Sequence, residues 1–271
     1  MPEGHVTHRL ARELEAVFAG RSVRVTSPQG RFAASAGLLD GGRFAGADAY
    51  GKNLFLAIGE SGALIHIHLG LIGKLRVDGP RPLLNPETLR LRIETADHVA
   101  ELRGPQTCAL ITPAEQDAVV GALGPDPLRP AADGERGWAR VSRSERPVAS
   151  LLMDQRVAAG VGNIYRCEVL FRQRLNPMTP GSQLSHRRWG RIWSDFVELM
   201  PQAVLDGRID TVLEPHTPEA MGRPPRVDRH GGEVYVYRRP GMPCLVCGQR
   251  VRAREFEGRN LYWCGRCQRS R

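Results

Sequence analysis

Lysine is nearly missing from this chain. Lys and Arg together number 38, and only Lys52 and Lys74 are lysine, leaving 36 Arg. Where guanidinium serves for almost every cation, a retained ammonium suggests a task needing a group that can give up its proton. Other absences exclude whole classes. No apolar run is long enough to span a bilayer, and no secretory leader is recognisable, so the reading is a soluble, cytoplasmic and nucleoid-associated protein. There is no Walker motif, no dinucleotide fingerprint and no nucleophilic Ser or Cys motif. No internal repeat or low-complexity tract appears.

What is present begins with charge. The net charge is +9, and residues 223–271 hold twelve Arg against Asp228, Glu233, Glu255 and Glu257, a local net of +8. Nearly the whole surplus sits in the last fifth of the chain, as expected for a polyanion-binding surface, most simply nucleic acid. At 271 residues and 41% apolar content, the chain has room for two cores.

The chain opens MPEGH. Proline after the initiator Met is small enough for that Met to be clipped, which leaves a Pro2-Glu3 terminus. Val6, Leu10, Leu14, Val17 and Phe18 then share one helical face, and Gly20 stops the helix. Proline and an acid at a helix start are also ordinary helix chemistry. From Arg21 to about Ile111 the pattern becomes short alternating strands, which predicts a sandwich or barrel. AYGKNLFLAI reads as a hairpin with Gly51-Lys52-Asn53 in its turn, so Lys52 projects from a loop. ALGPDPLRPAADGERG reads as a linker. The period is helical thereafter, and RVAAGVG forms a turn with Asn163 at the next helix start. Residues 216–239 read as a long polar loop.

Cys244, Cys247, Cys264 and Cys267 form two CxxC pairs sixteen residues apart. They supply four thiolates for one structural zinc, with no position open for water. Between the pairs, two strands turn at Gly258-Arg259 and set Arg259 at a hairpin tip suited to a phosphate contact. Cys108 and Cys167 read as buried thiols. His66 and His68 face one side of a strand, where packing or a DNA contact outweighs metal binding. Trp189 and Trp193, four apart on a helix, read as core.

Together, the Pro-Glu-Gly start, the GK hairpin tip, HLGLIG, LGPDPL, LLMDQRVAAGVGNIYRCEVLF and GRNLYWCGRCQ resemble the formamidopyrimidine-DNA glycosylase/endonuclease VIII family over essentially the whole length. The resemblance implies an α+β multidomain fold: a catalytic β-sandwich with a flanking helix (1–119), a linker (120–137), a helix–two-turns–helix DNA-binding domain (138–233) and a zinc finger (234–271). It implies a base-excision enzyme, a DNA glycosylase and AP lyase, with one structural zinc, no organic cofactor, and damaged DNA as partner of a monomer. By resemblance Pro2 is the nucleophile, Glu3 the acid that opens the sugar, Lys52 and Arg259 the partners of the two eliminations, Asn163 a phosphate ligand and Leu71 the wedge filling the gap left by a flipped base; of the two strand histidines, His68 is the candidate DNA contact. The chemistry fits, because a terminal amine titrates near ~8 and keeps a useful neutral fraction.

The match has departures. His5 stands where guanine-repairing members carry an acid, and GPQTC puts Thr107 and Cys108 in place of an Arg and Phe that probe the opposite base. These point to an endonuclease VIII-like branch, of the actinobacterial type, and to oxidised pyrimidines. His5 leaves abasic sites and single strands open as substrates. Two rivals remain: a damaged-DNA-binding protein without turnover, and a zinc nuclease, which four cysteine ligands disfavour.

Overall fold

Apolar spacing predicts the first helix, and the computed structural model, which describes residues 2–228 and 232–269, forms it as α1 (Gly4–Phe18), with Gly20 left-handed at φ 77° beyond its end. Met1, together with Arg229, His230, Gly231, Ser270 and Arg271 of the basic stretch, lies outside the described residues. After α1 come β1 (Arg24–Thr26), α2 (Ala33–Leu39), β2 (Phe44–Tyr50), β3 (Asn53–Ile58), β4 (Leu64–His68), β5 (Lys74–Asp78), β6 (Leu89–Glu94), β7 (Val99–Arg103), β8 (Thr107–Ile111) and α3 (Pro113–Gly121).

The strands make two antiparallel sheets, ordered β1-β6-β7-β5 and β2-β3-β4-β8. Side chains of both sheets and of α1 share one core, including Leu14, Phe18, Val25, Phe44, Leu54, Ile65, Leu91 and Leu102. This is the expected sandwich with its flanking helix. The sequence reading has no counterpart for α2 or β8. All five β8 residues are half-buried, so the strand lacks the in–out alternation that reveals a strand.

Backbone contacts divide the chain into compact units 1–122 and 123–271. The second holds α4 (Glu135–Val141), α5 (Val148–Leu151), α6 (Asn163–Arg172), α7 (His186–Asp206), α8 (Pro218–Met221), β9 (Arg252–Phe256) and β10 (Arg259–Trp263). Val148, Tyr165, Leu170, Trp189 and Phe196 pack in one cluster with Val236, Leu261 and Cys264. Helices and finger therefore share a core.

The Pro/Gly-rich stretch 120–137 is buried at residues 124–127 and again at 137, with mostly exposed residues between. Gly124 N donates to Gln155 O at 2.9 Å, and Trp189 Nε1 donates to Gly134 O at 2.9 Å. A Cβ on Gly134 would meet the Trp193 ring at 2.7 Å, and one on Gly137 would meet Val157 O at 2.5 Å. The glycines that resemble linker composition are here for close approach. The 216–239 stretch is likewise only partly loop. Residues 234–237 are buried, and the fully buried Glu168 of α6 accepts from the backbone N–H groups of Tyr235 (2.7 Å), Val236 (2.8 Å) and Tyr237 (2.8 Å) and from Thr211 Oγ1 (2.6 Å). A buried carboxylate holding four donors is tolerable because its oxygens are satisfied.

Candidate active site and zinc centre

Glu3 is the N-cap residue of α1 and is 1% exposed, with Pro2 half-buried just before it. The β2–β3 turn is brought to this helix start by Thr7. Its hydroxyl lies 2.8 Å from Gly4 O and 2.6 Å from Gly51 O, so one side chain ties the first turn of α1 to the hairpin tip. The turn is tighter than its sequence suggests. Tyr50 pairs with Asn53, leaving Gly51 and Lys52 as its two central residues, with Gly51 at φ 57°. A positive φ at the first position suits a type II′ hairpin and favours glycine. Lys52 is half-buried there, whereas Lys74 is exposed on β5.

The two histidines of β4 part company. His66 Nε2 bonds Asn53 Oδ1 at 2.9 Å and its ring stacks on Phe55 at 5.1 Å, which is packing. His68 lies near enough to Lys52 to feel its charge. Burial first and Lys52 second hold its pKa below the ordinary value, while a hydrogen bond that its ring donates to the Gln106 side chain acts the other way. Among the described residues only the four finger cysteines form a possible metal-ligating cluster. The segments that carry Pro2 and Glu3 and that carry Lys52 are thus tied together through Thr7, and His68 lies within electrostatic reach of Lys52.

His5 is 6% exposed, and burial, followed by the charge of Arg9, pushes its pKa down from 6.5 to about 4. The folded state binds this proton more weakly than the unfolded chain. Stability is full above pH 6.5 and falls as pH drops toward 4, by ~3 kcal/mol in the limit. Melting temperature should fall more steeply from pH 7 to 4.5 for the wild type than for His5→Gln. Equal slopes would mean that His5 stays hydrated.

The β4–β5 turn lifts two apolar side chains into solvent. Leu69 is buried, while Leu71 is 63% and Ile72 78% exposed. Gly73 N donates to Leu69 O at 3.0 Å, and a Cβ on Gly73 would sit 2.2 Å from that oxygen. Gly70, at φ 68°, abuts Gln106 so closely that a Cβ would meet that side chain at 2.8 Å. Gly73→Ala should cost ~1–3 kcal/mol through overpacking and displace the turn. Thermal melts and DNA affinity measure this, and an unchanged variant would show the turn to be pliable.

In the second unit the cysteine Sγ atoms all lie within 4.8 Å of one another, with Cys244–Cys267 at 3.9 Å and Cys247–Cys264 at 3.5 Å. Tetrahedral zinc with bonds of about 2.3 Å requires sulfurs about 3.8 Å apart, so this donor set fits. Cys108 and Cys167 stand outside it, and burial pushes both thiols up to about 12. The finger hairpin turns at Glu257 (φ 51°) and Gly258 (φ 71°), and Arg259 opens β10 opposite Phe256. Arg259 therefore stands one residue past the turn.

Asn163 is the first residue of α6 and 6% exposed. Its Nδ2 donates to Asn260 O at 2.9 Å, joining the helix start to the strand residue after Arg259. Its Oδ1 accepts from Arg166 Nη2 and, at 3.7 Å, from Cys167 Sγ. Arg166, 1% exposed, went unnoticed in the sequence, where it is one Arg among many.

Three family models match this chain in order: the formamidopyrimidine-DNA glycosylase N-terminal domain over residues 1–108, the formamidopyrimidine-DNA glycosylase H2TH domain over 123–213, and the zinc finger found in FPG and IleRS over 241–269. The chain belongs to the formamidopyrimidine-DNA glycosylase/endonuclease VIII family of base-excision DNA glycosylases. It is similar to Endonuclease 8 1 of Mycobacterium tuberculosis, at 44% identity over 276 residues, which cover 99% of this chain and 100% of that protein. The MutM (Fpg) protein of Thermus thermophilus matches with a TM-score of 0.76 at 30% identity over 98% of both chains. The Lactococcus lactis Fpg solved with abasic-site DNA shares the fold, with a TM-score of 0.78 at 24% identity over 99% of this chain and 100% of that one.

Proposed function

We propose that this protein excises oxidised pyrimidines from DNA as a bifunctional glycosylase and AP lyase, using the amine of Pro2 once Met1 is removed. The observation that carries this reading is the Thr7–Gly51 contact, which ties the helix start bearing Pro2 and the buried Glu3 to the turn bearing Lys52. The amine attacks C1′ of a flipped nucleotide, the base departs, and Glu3 protonates the ring oxygen as the sugar opens. The resulting iminium acidifies the C2′ hydrogen. Its loss forms a C2′=C3′ double bond and expels the 3′ phosphate, with Lys52 holding phosphate and assisting proton transfer. Loss of the C4′ hydrogen then forms C4′=C5′ and breaks the C5′–O bond, whose electron pair leaves with the 5′ phosphate. Arg259, which keeps its proton, stabilises that departing charge. Asn163 and His68 hold backbone phosphates, and the exposed Leu71 fills the vacated stack. Zinc, when bound, braces the hairpin that carries Arg259.

Pyrimidine preference rests on Thr107 and Cys108 and on the 44% identity to Endonuclease 8 1. Damaged duplex DNA as substrate, a monomeric state and a cytoplasmic, nucleoid-associated location accompany this reading. No helix among the described residues is long and apolar enough to cross a membrane.

Borohydride trapping tests the proposal. Wild-type protein, incubated with abasic, oxidised-pyrimidine and 8-oxoguanine duplexes and then reduced, should give an adduct mapping to Pro2, formed faster with oxidised pyrimidine than with 8-oxoguanine. Protein with a blocked terminus should give none. Absence of adduct from clean Pro2 protein on abasic DNA would leave a damaged-DNA-binding protein without turnover.

A further inference from the structure

Arg166 is a buried cation with incomplete compensation. It is 1% exposed, its Nη2 donates to Asn163 Oδ1, and its Nε finds no partner among the described residues. Its ion pairs with carboxylates within 4 Å number none among the described residues; after burial, the neighbouring Cys167 sulfur acts most on its charge, followed by Arg259 and Glu257. Burial presses its pKa below the ordinary guanidinium value, yet a guanidinium keeps its proton. A buried guanidinium with an unsatisfied N–H costs stability.

Its neighbour is the side-chain amide of Asn163. An amide has one accepting end and one donating end, and a guanidinium only donates. Arg166 therefore fixes the Asn163 oxygen toward itself and turns the NH2 toward β10. One NH2 hydrogen goes to Asn260 O, and the other is left for an anion at the start of α6, where backbone N–H groups and the helix dipole add to it. Arg259 precedes Asn260 in β10. The bond from the Asn163 amide to Asn260 O sets the backbone of β10 directly beside Arg259, and Ser150 Oγ of α5 donates to Glu257 at 2.6 Å on the other side of Arg259 in the chain.

We propose that Arg166 is a positioning residue: it presents the Asn163 amide and the Arg259 guanidinium to the DNA phosphates, and thereby governs the second elimination. This rests on the lyase reading above. The step it affects is loss of the C4′ proton, formation of C4′=C5′, and departure of the 5′ phosphate with the C5′–O electron pair.

The experiment uses full-length, zinc-loaded Arg166→Met and Arg166→Lys on abasic duplex DNA at saturating enzyme. It measures zinc content, Pro2 adduct on reduction, and the ratio of strands ending in 3′ phosphate to those ending in the unsaturated aldehyde. Both variants should form the adduct, while the ratio falls about tenfold or more, the order set by one hydrogen bond involving a charged group. Arg166→Lys keeps the charge but lacks the planar fork, so it should rescue DNA affinity and not the ratio. A wild-type ratio in either zinc-bound variant would overturn the proposal. If Arg166→Met loses its zinc, Arg166→Lys decides alone, and a wild-type ratio there would mean the residue only supports the fold. Absence of adduct from the wild type would instead sink the lyase reading itself.

Discussion

Glu3→Gln is expected to separate the two reactions of the active site. Base excision should fall by roughly 10²–10⁴-fold, the usual size of a lost general acid. Reaction with a preformed abasic site should survive, because its sugar already opens to an aldehyde and needs no acid to expel a base. The geometry supports this division. Glu3 is 1% exposed and its side chain does not cap α1, so loss of the carboxylate should not unravel the helix. The Thr7–Gly51 link that brings Lys52 near is untouched by the substitution. Single-turnover excision of an oxidised pyrimidine, compared with borohydride trapping on abasic DNA, reads both reactions. Equal loss of the two would mean that Glu3 organises the amine rather than donating a proton.

Removing zinc should affect binding and leave the amine chemistry. Cys264 is fully buried and belongs to the core that also holds Leu261 and Val236. Structural zinc carries apparent binding free energies of about 10–16 kcal/mol in finger peptides, so a chelator strong enough to strip it should unfold β9 and β10. Arg259 would lose its place, and so would the Asn260 carbonyl that holds Asn163. DNA affinity should then drop by about two to four orders of magnitude, as for two charge-assisted contacts at ~1.5–3 kcal/mol each. At saturating DNA the Pro2 adduct should still form, because four cysteines close the coordination sphere and leave no place for a reacting water. Binding titrations and trapping with chelated protein, or with Cys264→Ser, measure this. Undiminished affinity would detach the finger from DNA recognition, and loss of adduct at saturation would give the metal a part in the chemistry.

The spacing of Cys244, Cys247, Cys264 and Cys267 announced a zinc site because chelation by paired cysteines is local in sequence. The face of α1 and most strands were equally legible, since alternation and helical spacing record burial directly. Legibility failed where burial was uniform, as along β8, and where composition misled. Gly134 and Gly137 look like linker residues but are glycines because tryptophan rings and backbone come too close for a side chain. The tail of the 216–239 stretch reads as loop because Glu168, which accepts from its backbone N–H groups, is far away in the chain.

By itself the sequence determined the family, the four metal ligands and the identity of the residues at the terminus, the GK turn and the start of α6, all carried in short contiguous motifs. Which of them meet was decided by tertiary structure. Thr7 reaches Gly51 across 44 residues, Asn163 reaches Asn260 across 97, and Ser150 reaches Glu257 across 107. Arg166 shows the reason. A guanidinium among 36 arginines has no local signature, and its importance comes from being sealed from water beside one amide, a consequence of packing that no spacing along the chain records.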